Sequence, residues 1–198
     1  ALLMLEEFVD LKPGDWVIQN AANSGVGSYL IQLAKIKGLK TINVVRRESA
    51  VDGVKAQGAD IVLVDGPKLA KQVAELTGDN QPKLGIDAVG GSSTDRIAAS
   101  LAMGGTLVNY GLMSGEPCQV SANSFVFRDV TLKGFWLARW FRNATPEKQK
   151  AVFGQIIKYI AEGKLQTKIH AEYPVSEIKQ AVAAAAEGGR EGKILVVA

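Results

Sequence analysis

The sequence is poor in the residues that staple or metallate small proteins. It has one cysteine, Cys118, and one histidine, His170. A single thiol cannot close an internal disulfide, and such sparing use fits a reducing compartment. One sulfur and one imidazole cannot build a zinc site from nitrogen and sulfur ligands. No apolar run reaches the roughly 20 residues of a membrane helix, and no secretory leader is visible. Charge of one sign is scarce too: the formal net charge is +3. No basic run carries interleaved aromatics, so nucleic acid and membrane surfaces are poor partners. His170 has no serine or cysteine motif to pair with and reads as structural or exposed. No tyrosine is followed four residues later by lysine, which removes the short-chain dehydrogenase dyad.

What remains is an ordinary globular composition, 47% hydrophobic and 22% charged, long enough for one sizeable domain with its own core. From Leu11 onward, short β-rich runs alternate with helix-period runs, the pattern of βαβ units on a parallel sheet. Strands are expected at 16–20, 40–45, 61–64, 84–89, 106–110 and 130–136, the last closing the sheet. Helices are expected at 28–37, with Gly38 ending it, around 54–56, and at 68–76 and 94–101. Thr145-Pro146-Glu147 opens a further helix to 162 with a capping hydroxyl, proline at the first position and an acid near the positive dipole end. After Leu165 the pattern changes. An extended segment at 169–174 leads to an Ala-rich helix capped by Ser176 and to a last strand at 194–197. The expected class is α/β: a Rossmann doubly wound parallel sheet over residues 11–165 with a short C-terminal α/β appendage over 166–198. Residues 1–10 lack an initiator methionine and begin in a dense helical pattern; they read as the remnant of an interdomain helix in a fragment.

Two features carry chemistry. The first is Ala22-Asn23-Ser24-Gly25-Val26-Gly27, between the first strand and its helix. A pyrophosphate needs a tight turn, free backbone amides and no Cβ at closest approach, with a helix N-terminus behind it. Gly25 and Gly27 meet that need and Ala22 is small enough for the first position. This is not a full G-x-G-x-x-G, and a turn that binds nothing would look alike; its place after the first strand of a βα series is what strengthens it. The second is Arg46-Arg47, directly after the second strand, where an NAD site carries an acid for the ribose hydroxyls. An arginine there can fork onto a 2′-phosphate that a carboxylate would repel. Together they read as an NADP(H) site. A methyltransferase turn is the other reading of the glycines, and Arg46 argues against it.

Asn20 to Gly27, together with Thr41 to Arg46, resembles the zinc-independent medium-chain dehydrogenase/reductase superfamily, and within it the mitochondrial-type trans-2-enoyl thioester reductases. Residues 130–137 and the ending 189–194 are similar to that branch as well. Asn23 stands where quinone reductases commonly carry a smaller residue. The resemblance implies that Asn23, Ser24, Gly25, Val26 and Gly27 lie on the pyrophosphate and Arg46, with Arg47, on the 2′-phosphate. It implies that Tyr110 and Gly111 pass the nicotinamide or its ribose, that Trp136 lines the acyl pocket, and that Lys193 returns to the phosphate end. It further implies NADPH-dependent reduction of enoyl-CoA or acyl-carrier-protein thioesters, with a quinone or enone acceptor, or a non-catalytic NADP(H)-binding module, as alternatives. A homodimer through an edge strand around 125–137 is implied, in a mitochondrial matrix or bacterial cytoplasm. The superfamily's upstream catalytic domain, with its proton-donating tyrosine, has no counterpart in these residues, so no catalytic residue is expected here.

Overall fold

The computed structural model describes residues 1–187 and 192–198. Six strands form one sheet: β1 (Trp16–Gln19), β2 (Lys40–Val45), β3 (Ile61–Val64), β4 (Leu84–Asp87), β5 (Thr106–Asn109) and β6 (Thr131–Gly134). Their order is β3-β2-β1-β4-β5-β6 and every pairing is parallel. The connecting helices are α2 (Gly25–Ile36), α3 (Val51–Lys55), α4 (Leu69–Thr77) and α5 (Gly91–Ala99), with α1 (Leu2–Glu6) ahead of them. This is the doubly wound arrangement, in which the strand order reverses between β1 and β4.

Alternation along the strands explains why helices must cover both faces. Val17 and Val108 enter a cluster with Leu2, Met4, Leu30 and Leu33, on the side of α1 and α2. Their neighbours Ile18 and Leu107 enter a second cluster with Leu69, Val73, Ile97 and Leu101, on the side of α4 and α5. Successive side chains point to opposite faces, so strands buried on both sides read as near-continuous apolar runs. Each fully buried Leu, Ile or Val stabilises the fold by about 1.5–3 kcal/mol.

After β6 come α6 (Leu137–Asn143) and α7 (Pro146–Ala161). Thr145 caps α7 as its sequence predicts, accepting from the Lys148 amide at 3.3 Å, with Pro146 in the first turn. The tail builds a separate two-stranded parallel sheet from β7 (Ile169–Pro174) and β8 (Lys193–Val197), joined by α8 (Ile178–Ala186). Its base is fastened to α2: Gln32 and Gln166 exchange two hydrogen bonds at 2.8 and 3.1 Å, and Tyr29 meets Thr167 through their hydroxyls.

Several sequence expectations need correction: the helix expected at 94–101 runs Gly91–Ala99, and the strands expected at 84–89 and 106–110 stop at Asp87 and Asn109. The helix after the glycine turn starts at Gly25, three residues early, because the glycines themselves form its first turn. The last strand of the large sheet spans Thr131–Gly134, not 130–136. Phe135 still donates to Asn109 O at 2.8 Å, but Trp136 already serves as the N-cap of α6, an element that sequence reasoning missed. Phe125 and Phe127 lie in a one-turn π-helix, Asn123–Phe127. Ser176 caps nothing: it sits inside a 3-10 turn, Val175–Glu177, and Glu177 holds the N-cap position of α8.

Candidate functional site

The glycine turn leaves β1 and enters α2 in five residues. Ala21 takes a positive φ of 47°, and the fully buried Ala22 donates to Val44 O at 3.2 Å, which pins the turn to β2. Ser24 caps α2 by accepting from the Gly27 amide at 3.1 Å. The Gly25 and Val26 amides, at the positive end of the helix, have no acceptor among the described residues. Such amides favour an anion. The two glycines do different work. A Cβ on Gly27 would collide with the Ala22 carbonyl, so Gly27 is required for close packing of helix on strand. A Cβ on Gly25 would meet only the tip of Lys193, 2.6 Å from its Nζ. Lys193, at the start of β8, therefore reaches over the turn. Asn23 is exposed at the tip.

Arg46 and Arg47 follow β2, the strand beside β1, so they stand on the same edge of the sheet as the turn. Both are exposed and neither enters an ion pair among the described residues. Two guanidinium groups are thus free to face an anion from solvent.

Across the switch point, the ends of β4 and β5 close on a buried carboxylate that sequence reasoning did not single out. Asp87 is 0% exposed. Its Oδ1 accepts from Asn20 Nδ2 at 2.6 Å, Val89 N at 2.8 Å and Gly90 N at 3.1 Å. Its Oδ2 accepts from Thr94 Oγ1 at 2.7 Å and Asn109 Nδ2 at 2.9 Å. Burial pushes this carboxyl up, but the Asn20, Thr94, Asn109 and Gly90 donors outweigh it and hold the group below its ordinary value. The available signal was an acid at the end of an otherwise apolar strand, a residue type rarely buried without partners. Gly111 follows β5 and has no room for a side chain, since a Cβ would lie 2.7 Å from the Ala88 carbonyl oxygen. Burial raises the Tyr110 phenol, and the neighbouring Ser24 side chain partly offsets that rise. Tyr110, Gly111 and Ser24 are therefore brought together.

Trp136 is not brought to that cluster. It is 64% exposed, and Arg142 lies over its ring at 4.9 Å. It borders a shallow groove of about 420 Å³ with Glu7, Arg139, Trp140 and Lys148, and none of the turn residues lines it. A second hollow of about 300 Å³ lies beside Lys37 and Leu39, at the opposite ends of α2 and β2 from the turn. His170 and Cys118 are exposed. Of the ending that resembles the enoyl reductases, residues 188–191 lie outside the described residues.

A capped glycine turn on the first strand of a 3-2-1-4-5-6 parallel sheet defines a Rossmann-type fold, whose ligand crevice lies at the carboxyl ends of the strands. The chain belongs to the zinc-binding dehydrogenase family, whose family model matches residues 25–153. Among the described residues, no group of three or more His, Cys, Asp or Glu is placed to hold a metal ion. The chain is 39% identical over 204 residues to the mitochondrial enoyl-[acyl-carrier-protein] reductase of Dictyostelium discoideum, covering 99% of this chain and 57% of that one. It spans about half the length of the curated mitochondrial reductases it matches. Among solved structures it is similar to Etr1p bound to NADP and crotonyl-CoA, with a TM-score of 0.87 and 28% identity, covering 100% of this chain and 58% of the other. Etr1p was also solved with Etr2p as a mitochondrial 2-enoyl thioester reductase heterodimer from Candida tropicalis. A mycobacterial quinone oxidoreductase gives a TM-score of 0.87 at 27% identity, covering 99% of this chain and 60% of the other.

Proposed function

We propose that this chain is the NADP(H)-binding half of an oxidoreductase that reduces the double bond of 2-enoyl thioesters. The observation that carries the reading is the pairing of an uncommitted glycine-turn amide pair with two unpaired arginines at the next strand end. In this reading Ser24, Gly25, Val26 and Gly27, with Asn23 at the tip, receive the pyrophosphate. Lys193 adds a cation from the appendage, and Arg46 with Arg47 receives the 2′-phosphate. Tyr110 and Gly111 border the nicotinamide, and Trp136 lines the acyl path. When bound, the nicotinamide supplies a hydride to the β-carbon of the enoyl group. The residues of this chain hold and orient it, the contribution proteins make to cofactor chemistry.

The thioester acceptor is favoured by the 39% identity to an enoyl-[acyl-carrier-protein] reductase. A quinone acceptor is the second reading, supported by the likeness to the mycobacterial quinone oxidoreductase. We further propose that residues 11–165 form the cofactor unit, that 1–10 and 166–198 join it to a catalytic half, and that the protein works in a mitochondrial matrix or bacterial cytoplasm. The β6 edge would pair with that of a second copy: it has one sheet neighbour, β5, and an exposed strand edge invites pairing. Steady-state assays of the complete natural protein with NADPH, comparing crotonyl-CoA with a benzoquinone, test the acceptor. Faster turnover of crotonyl-CoA is expected, and a preference for the quinone would replace the first reading with the second. The 198 residues alone should turn over crotonyl-CoA far below the roughly 10 per second of a typical enzyme.

A further inference from the structure

In a doubly wound sheet each half holds one mononucleotide, and the crevice between them runs along the carboxyl ends of the strands. The glycine turn and the arginines occupy the β1–β2–β3 half. The nicotinamide half of a dinucleotide then lies against the loops that follow β4 and β5. Those loops carry Gly90-Gly91 and Gly111 but no G-x-G-x-x-G fingerprint, so contacts from side chains must help to fix their shape.

We infer that Asp87 is a positioning residue for the nicotinamide half: its carboxylate holds the loops after β4 and β5 in the shape that half must lie against. This rests on the dinucleotide reading above. The argument starts from cost. A buried charge is unfavourable unless paired or fully hydrogen-bonded, and an apolar residue would fill the same space without that penalty. Among the described residues Asp87 has no ion-pair partner, and Arg96 on α5 is committed to Asp65, with Nε–Oδ1 at 2.6 Å and Nη2–Oδ2 at 2.7 Å. What a carboxylate offers here is acceptor capacity. Its two oxygens gather five donors from four places: Asn20 after β1, the Val89 and Gly90 amides, Thr94 on α5, and Asn109 on β5.

The grip extends one bond further. Asn109 Nδ2 also donates to Gly111 O at 3.0 Å, and Asn20 Oδ1 accepts from the Ala88 amide at 2.8 Å. Ala88 and Gly111 are the two backbones that touch too closely for a Cβ on Gly111. Asp87 thereby holds both members of that contact, each through an intermediary amide side chain. Tyr110, between Asn109 and Gly111, lies beside Ser24 on the pyrophosphate turn. The carboxylate is where the two halves of the crevice are set relative to each other.

Calorimetric titration of the chain and of its Asp87→Asn and Asn109→Ala variants, each with NADPH and with adenosine 2′,5′-bisphosphate, tests this. The bisphosphate carries the adenosine and 2′-phosphate but no nicotinamide half. Both variants should weaken NADPH about 10- to 100-fold, the effect of losing a charge-assisted hydrogen bond. Both should shift the bisphosphate by less than about threefold. Asn109→Ala leaves Asp87 four of its donors, so it reports even where Asp87→Asn unfolds. Equal losses for both ligands would mean a merely structural carboxylate and would overturn the inference, as would unchanged NADPH affinity. If the unmodified chain binds neither probe, the cofactor reading itself has failed and the inference falls with it.

Discussion

Strands β1, β2 and β4 are buried along nearly their whole length, whereas β6 is exposed at all four positions and β7 and β8 at most of theirs. Composition alone does not separate the two regions: β6 and β7 each carry a single Leu or Ile, but β8 is as apolar as any central strand and is still mostly exposed. The difference lies in what covers them. The central strands have helices on both faces. Near β6, Phe127 is 72% exposed, and α8 and β8 leave Val182, Leu195, Val196 and Val197 in solvent. Contiguous exposed apolar surface on a soluble domain marks a place for contact. The centre of the sheet is a finished core, while the β6 edge and the appendage leave apolar side chains open to solvent.

The largest expected effect is inside the finished region, and it separates the two glycines. Gly25→Val should abolish measurable NADPH binding while leaving the melting temperature nearly unchanged, because only the flexible end of Lys193 must move. Gly27→Ala should instead destabilise the fold, by an amount in the roughly 1–3 kcal/mol range of overpacking, because it drives a Cβ into the Ala22 backbone. Thermal melts read beside a titration check both. Normal binding by Gly25→Val would move the pyrophosphate elsewhere.

The edge offers the next test. Thr131 N and Phe135 N both bond towards β5, at Gly105 O just before it and at Asn109 O. Amides alternate sides along a strand, so the Leu132 N–H points to the free edge. Leu132→Pro therefore removes an outward donor while sparing the β5 ladder. Sedimentation velocity should show a dimer at micromolar concentration that this substitution turns into a folded monomer. A dimer indifferent to it would place the interface elsewhere.

A smaller effect follows from Asp87. Its pKa is depressed below the ordinary 3.8, so its contribution to stability is complete above that value and is lost as pH falls through the folded pKa. Asp87→Asn should lower stability at neutral pH by about 1–3 kcal/mol, and the gap to the unmodified chain should narrow in denaturant titrations below pH 3.8. A gap that widens on acidification would contradict the assigned direction.

The sequence made the centre of the molecule legible and its margins less so. Trp16, Lys40 and Leu84 begin strands where the sequence places them, because burial on two faces leaves a near-continuous apolar signal. Gly25, Gly27 and Arg46 were readable because a turn and a charge carry local meaning. Asp87 was not, because its role comes from Asn20, Thr94 and Asn109, brought to it by the fold rather than by spacing. Helix α6 was hidden for a different reason. Leu137, Trp140 and Phe141 do fall at helical spacing, but over only seven residues, too short a stretch for periodicity to separate from the strand before it. Trp136 looked like a pocket residue from its motif, and its surroundings are a shallow groove.

The central claim is that Arg46 and the glycine turn make an NADP(H) site. Paired calorimetric titrations of the unmodified chain with NADPH and NADH test it most directly, with Arg46→Ala as the control. A charge-assisted contact to phosphate contributes about 1.5–3 kcal/mol, so NADPH should bind tighter by about one to two decades, and Arg46→Ala should erode that preference. Equal affinity for the two cofactors in the unmodified chain would contradict the account.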